Sequence, residues 1–420
     1  MAASFGEKLL AEVHEEGFHE LLHDLHCLYA SNVARERLGI GALDDLLHVF
    51  MPASQWVQPQ EVSIPDQEHE QVLENQLPGV GHGEPIPRLK NVDPVVEISS
   101  TSSGAGKTQM LYYLTATAIL PTVFHGVNLG KESAVVYIDA DGRFDAHRLL
   151  AVARSIVQKK TRSRPGYTKD LGALLTTSLQ HVHVFRPQSS QALLATLQSL
   201  DTYLLDTSRH LSATRPLHSI LIDSASAFFW QDKLHDEVAR TEDIGRPYEE
   251  LERERKQRES FHLPDMYADL VAELKRLQRR LNCAVIYTTV AWSGRSVPPQ
   301  PSNTPSGPFP LFNPNAPASK TPSFRSSLPG PWGPFPSLRL VVQRDKVNPF
   351  PPAMTASEAR RQAPMRQEAV LKGRFVGWVN GWEQENWPQR VIEKLEESNG
   401  GMFSFYITAN DVDFPHHHIP

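Results

Sequence analysis

The most constraining feature of the sequence is an alternation running from Val92 to Thr289. Five short runs rich in Val and Ile (VVEI at 95–98, AVVYI at 134–138, VHVF at 182–185, SILI at 219–222, AVIY at 284–287) are separated by longer stretches of helical periodicity. A strand with one wetted face alternates apolar and polar residues. These runs do not, so they belong in a sheet covered on both faces. Buried strands alternating with helices indicate an α/β fold with a mostly parallel sheet. The clearest helix precedes the last run, where Tyr267, Leu270, Val271, Leu274, Leu277 and Leu281 form one stripe. Lys275, Arg276, Arg279 and Arg280 point mainly elsewhere and read as a solvated face rather than a phosphate site.

The flanks divide the chain further. Residues 1–50 form an N-terminal helical segment leading into the core, with Leu9, Leu10, Val13, Phe18, Leu21, Leu22, Leu25 and Leu28 at helical spacing over 4–30. Residues 51–91 mix Pro, Gly, Gln and Glu with isolated apolar residues and read as a disordered loop insertion. The core spans 92–292. Residues 293–336 hold 13 of the 33 prolines and only Arg295, Lys320 and Arg325 as charges, so a second disordered insert without a packed core is expected there. Within 337–414, the runs at 337–344, 369–379 and 402–408 read as antiparallel strands completing the sheet, and 415–420 is a tail. Residues 240–260 are charge-dense, with Glu252/Lys256 and Glu254/Arg258 spaced for an exposed helix.

Composition narrows the classes of function. The net charge of −6 excludes a protein that coats nucleic acid through overall positive charge, so nucleic-acid contact needs a local patch. Two cysteines, Cys27 and Cys283, exclude a disulfide framework and a Cys-rich zinc module. Apolar runs fall short of the ~18 residues that a membrane helix needs, and the N-terminus lacks a basic flank before an apolar stretch. The expectation is a soluble intracellular protein with no membrane partner.

The chemistry concentrates where the first strand ends. VVEIS runs into STSSGAGKTQMLYYL, a strand, a small-residue loop and a helix. Small residues let backbone N–H groups face phosphate oxygens, and the helix N-terminus adds partial positive charge. Measured against G-x-x-x-x-G-K-[ST], the segment Thr101, Ser102, Ser103, Gly104, Ala105, Gly106, Lys107 and Thr108 has the second glycine, the lysine and the hydroxyl, but Thr101 stands at the first glycine. A β-branched residue is a poor choice wherever that position needs positive φ. Lys107 is placed to reach phosphates and Thr108 to hold Mg²⁺. SILID puts Asp223 at a neighbouring strand end, where a carboxylate supports the metal shell. VVYID ends in Asp139-Ala140-Asp141, placing Asp141 where it could polarise an attacking water.

The order of GKT, YIDADGRFD (137–145) and LIDSASAFFW (221–230) resembles the RecA-type recombinases. More narrowly, GKTQMLYYLTATAILP (106–121) with DSASAFFW (223–230) resembles the X-ray repair cross-complementing protein 2 group, paralogues of the eukaryotic RecA-like recombinase. The likeness covers 93–292 and extends over 338–414, where FSFYITANDVDF (403–414) is similar to the family's closing hairpin. LGIGALDDLL (38–47) is similar to its segment upstream of the core. The resemblance implies a RecA-like P-loop ATPase core with a C-terminal antiparallel extension. It also implies a nuclear role in recombination repair, with ATP and Mg²⁺ as cofactors. The implied partners are sister paralogues in a heteromeric complex and single-stranded or branched DNA. Asp141 occupies the position of the family's catalytic glutamate, and Val290 that of a glutamine that senses the γ-phosphate. Valine cannot hydrogen-bond a phosphate. Weak turnover is therefore expected, and a nucleotide-free adaptor with a degenerate P-loop stays open beside an ATP-binding subunit.

The family's two DNA-facing loops correspond to 231–262 and 293–336. Phosphate neutralisation there is thin. Phe309, Phe312, Phe324, Trp332 and Phe335 could stack bases or dock a partner. Other motifs carry less. His19-Glu20-Leu21-Leu22-His23 has zinc-protease spacing, but His26 on the same helix is poorly placed as a third ligand, and an ordinary amphipathic helix accounts for it. His416, His417 and His418 imply no function. Lys159, Lys160, Arg162 and Arg164 form a solvated loop or a weak import or phosphate patch.

Overall fold

The computed structural model describes residues 38–51, 94–161, 170–242, 262–291, 321–345, 350–364, 373–382 and 387–415, with a few positions between them. The predicted helix at 4–30 with its histidine pattern, the insertion from 52 to 91, residues 293–320 and the histidine run lie outside the described residues. In chain order, the elements begin with α1 (Gly41–Phe50), β1 (Val95–Ser100), α2 (Lys107–Ile119), a hairpin of β2 (Val123–Phe124) and β3 (Val127–Asn128), and β4 (Ala134–Asp139). There follow α3 (Ala146–Thr161), α4 (Leu171–Leu179), β5 (Val182–Phe185), α5 (Ser190–Leu205), β6 (Leu217–Asp223), α6 (Phe229–Glu242), α7 (Leu263–Leu281) and β7 (Ala284–Val290). The chain closes with β8 (Leu338–Arg344), α8 (Ala356–Gln362), β9 (Arg374–Val379), α9 (Gln389–Glu397), β10 (Phe403–Ile407) and β11 (Val412–Asp413).

All five sequence-predicted runs are strands of one sheet, ordered β11-β10-β9-β8-β1-β7-β6-β4-β5. β1, β4 and most of β6 and β7 are buried along their length, as expected of strands covered on both faces. The expectation of three antiparallel closing strands needs correction: β8 runs parallel to β1, with Val96 opposite Leu338, and antiparallel pairing begins only at β8–β9. The long connection after β7 carries the chain back to the starting end of β1, so β8 re-enters in the same direction.

Helices cover both faces. α1 to α4 pack on one through Leu43, Leu47, Met110, Leu111, Leu114, Leu149, Val152 and Ile156. The LGIGALDDLL segment joins this core, and Asp44 accepts hydrogen bonds from the Leu38 and Gly39 N–H groups at 2.7 and 3.0 Å. α5 and α7 cover the other face through Leu193, Leu197, Leu200, Tyr267, Leu270, Leu274 and Leu277. The predicted outer face of α7 is partly committed: Arg276 and Arg280 each hold Asp201 on α5 at 2.7 Å.

The second insert is not coreless throughout. Residues 321–336 lie on the α7 face, with Leu328, Trp332 and Phe335 buried. Trp332 sits edge-to-face on Tyr287 of β7 at 4.9 Å. Low apolar content argued for disorder, but the few apolar side chains fill one place, and prolines restrict the backbone that presents them. Trp332 and Phe335 are thereby unavailable for stacking bases. Phe324 is half-buried and donates its backbone N–H to Asn380 at 2.9 Å. The other expected DNA-facing region, 231–262, begins as helix: α6 buries Asp232 and Asp236 and turns Trp230, Leu234 and Val238 outward. Lys159 pairs with Asp411 and Asp413, and Lys160 donates to the Leu129 carbonyl at 2.8 Å, so both serve the fold.

Candidate functional site

β1 ends at Ser100, residues 101–106 turn, and α2 starts at Lys107. Left-handed backbone falls at Gly104 (φ 72°) and Gly106 (φ 93°) and not at Thr101. The departure from the glycine pattern at Thr101 therefore carries no backbone strain. Gly106 is required twice over: besides its φ, a Cβ there would lie 3.0 Å from Ile407 and 3.1 Å from Phe375 and Phe405 side-chain atoms. Thr101, Ser102, Ser103 and Gly104 are exposed, and Ala105 and Gly106 are buried beneath them.

The loop lines a cleft of about 600 Å³ at the C-terminal ends of the parallel strands, together with Asp141, Arg143, Arg148, Asp223 and Ser224. This is where open α/β sheets place ligands. The far wall is Phe375, Ile407 and Thr408 from the β9–β10 pair. Arg148 of α3 ties that pair to α2, donating to Gln109 Oε1 at 2.7 Å and to the carbonyls of Ala409 and Asp411.

Lys107, Thr108 and Asp223 meet at the cleft floor. The Lys107 ammonium donates to Ser100 Oγ. Burial holds its pKa below the usual lysine range, and the Asp223 and Asp141 carboxylates pull it back up. Asp223 accepts from three hydroxyls: Thr108 at 3.2 Å, Thr288 at 2.9 Å and Tyr137 at 3.0 Å. Burial pushes its carboxyl above the usual range, while these hydrogen bonds favour the charged form. Asp141 accepts from Ser224 Oγ, and Ser224 itself has φ 65°. Asp139 has a different task. It accepts from the N–H groups of Arg143 and Phe144 at 2.9 Å and from Arg186, fixing the turn that carries Asp141. Val290 stands half-exposed at the end of β7, paired in register with Ser100, and offers the cleft no polar side-chain atom.

The predicted residues therefore converge, and the arrangement can hold an anion on loop N–H groups and Lys107 with a divalent cation between Thr108 and Asp223. Sequence reasoning missed Ser100, Tyr137, Thr288, Ser224, Arg143 and Arg148, and the wall from Phe375 and Ile407. Thr288 alone had a usable signal, as a hydroxyl at the end of the strand next to that of Asp223. Among the described residues, no cluster of three or more His, Cys, Asp or Glu could hold a metal, and no helix is long and apolar enough to cross a membrane.

The fold is a RecA-like α/β core with an antiparallel C-terminal extension. No family model matches the sequence. The DNA repair protein XRCC2 homolog of Arabidopsis thaliana is 24% identical over 275 residues, 60% of this chain and 68% of that protein. Mouse DNA repair protein XRCC2 is 32% identical over 132 residues, 31% of this chain and 40% of that protein. Mouse DNA repair protein RAD51 homolog 2 is 36% identical over 102 residues, 24% of this chain and 26% of that protein. The match thus spans about two-thirds of the plant relative and well under half of the mouse proteins. The chain is thus similar to proteins named XRCC2 and RAD51 homolog 2, each named a DNA repair protein.

Proposed function

We propose that this chain acts in DNA repair by homologous recombination. In this reading it is an ATP-binding subunit of a nuclear complex of sister paralogues that assists the recombinase on single-stranded or branched DNA. One observation carries the reading: Lys107, Thr108 and Asp223 converge beneath a glycine-containing loop in a chain whose relatives are named DNA repair proteins. The residues present suit Mg-ATP. Gly106 leaves no Cβ to crowd the loop, the Lys107 ammonium is partly buried beside it, and Thr108 already faces Asp223. Lys107 and the loop N–H groups would bind the phosphates, and Thr108 and Asp223 would hold the metal and its waters. Bound ATP with Mg²⁺ supplies a phosphoanhydride bond and the cation that offsets its charge. Asp141, steadied by Ser224, is the carboxylate available to orient a water. With Val290 lacking a donor, hydrolysis by the isolated chain is slow, because such catalysis is mostly electrostatic positioning.

A second reading, the nucleotide-free adaptor, draws on the same site. Ser100 engages Lys107, and three protein hydroxyls surround Asp223, so the fold itself satisfies much of the site's polarity. Calorimetry with Mg-ATP separates the two, using the chain alone and co-purified with a sister paralogue. The proposal expects binding heat that Lys107→Ala removes. No heat in either preparation, with assembly intact in Lys107→Ala, would favour the adaptor.

A further inference from the structure

At the opposite ends of the strands from the P-loop lies a second cleft, of about 260 Å³, that no step of the proposed function uses. Phe50, Pro334, Pro336, Trp382 and Trp387 wall it, and Arg339 is its charged lining residue. Phe50 and Trp387 meet edge-to-face at 5.1 Å, and Trp382 is 37% exposed. Indole, phenyl and pyrrolidine walls of this kind suit an extended segment containing proline, which enters such grooves with little conformational freedom left to lose.

The chain path indicates which segment. Phe50, one wall, is the last residue of α1, and the segment 52–93 departs one residue later. That segment rejoins the core at Pro94, beside Val95, whose N–H donates to Ser337 Oγ at 3.0 Å. Ser337 also lines the cleft. Met51 and Pro94, which flank 52–93, therefore both stand near the rim. Near its returning end is Glu84-Pro85-Ile86-Pro87-Arg88. Pro87 and Pro94 are seven residue steps apart, a reach of about 25 Å at ~3.5 Å per extended residue. A segment tethered at both ends also has an effective concentration on the order of millimolar, so a modest contact is enough to fill the cleft.

We propose that the cleft is the docking site of this chain's own residues 84–88, an anchor in cis that fastens the insertion between α1 and β1 to the core. Hydrogen–deuterium exchange on the full chain tests it, comparing the wild type with Trp382→Ala/Trp387→Ala and with Pro85→Ala/Pro87→Ala. The expected result is at least tenfold slower exchange across 86–92 in the wild type than in either double variant, with 95–100 and 134–139 unchanged. The proline variant changes no described core residue, so it decides the matter even if the tryptophan variant does not fold. Unprotected exchange across 86–92 in the wild type overturns the proposal, and so does protection that survives the proline variant. If 86–92 is unprotected while tryptophan emission responds to an added proline decamer, the cleft belongs to a partner's segment instead.

Discussion

The two faces of the central sheet are built on different principles. Beneath α1 to α4 the buried side chains are almost all apolar. The carboxylate of Asp44 accepts two backbone N–H groups, and Thr115 and Thr117 bond back to Leu111 and Tyr113 of their own helix. Beneath α5, α7 and the returning segment 321–336, polar groups are buried with partners distant in sequence. Glu97 accepts from Thr289 at 2.9 Å, with Arg339 at 3.6 Å, and Asp232 accepts from Ser190 and from Tyr267 at 3.0 Å. His183 contacts Ser212 at 2.9 Å and Tyr203 at 3.1 Å. The first face draws its stability from apolar area removed from water, and helices adjacent in sequence supply it. The second depends on polar groups paired across long sequence separations and on a segment that returns after a long excursion, so it is more exposed to pH and to loss of a single partner.

The strongest way to break this comparison is to remove the returning segment. Replacing 321–336 with a Gly/Ser linker is expected to abolish soluble expression, whereas replacing 293–320 leaves the melting temperature within a few degrees. Trp332→Ala alone should cost about 3–5 kcal/mol in a denaturant titration, the usual range for a large aromatic truncated in a core. A silent Trp332→Ala would mean that 321–336 is an ornament on a finished core. Next in size is Asp232→Ala, which strands the hydroxyls of Ser190 and Tyr267 and should cost about 1–3 kcal/mol. Adding Tyr267→Phe should recover part of that loss, since it removes one orphaned group.

The smallest effect is a slope rather than a step. Burial, with the nearby His210 and His181 imidazoles, pushes the His183 pKa down to about 4, against about 6.5 unfolded. Between those values the unfolded chain binds the extra proton. Stability is therefore full above pH 6.5 and falls as pH drops toward 4. Glu97 and Asp232, pushed up by burial, act in the opposite sense, because their contribution is lost as pH rises through their folded pKa values. Urea titrations of wild type and His183→Gln across this range isolate the histidine: the variant's slope should be flatter in acid. Equal slopes would place the pH dependence elsewhere.

What was legible in the sequence follows the same division. The five strands of the parallel core announced themselves because burial on both faces leaves no polar alternation, and α7 because its apolar stripe is local. Asp223 and Asp141 are legible because they sit at or just past a strand end, and Lys107 and Thr108 because they open the helix after the β1 loop. The direction of β8 was not, since it depends on where a long connection delivers the chain. Nor was the conformation at Thr101, because the left-handed turns fall at Gly104 and Gly106. The partners of Glu97, the burial of Trp332 and the cleft wall at Phe375 and Ile407 all rest on contacts between residues far apart in sequence. No local pattern encodes them.

That distant wall has a consequence for synthesis. The loop 101–106 leaves the ribosome before the wall that faces it, because Phe375, Ile407 and the Arg148 contacts to Ala409 and Asp411 come from β9 onward. Domains form as their residues emerge, N-terminal parts first. A growing chain therefore carries a finished loop and an unfinished cleft until the β9–β10 pair and Asp411 have emerged. A chain stopped ahead of Phe403 would keep Phe375 but lack Ile407, Thr408 and the Arg148 contacts, so the cleft is closed only by residues far downstream of the loop.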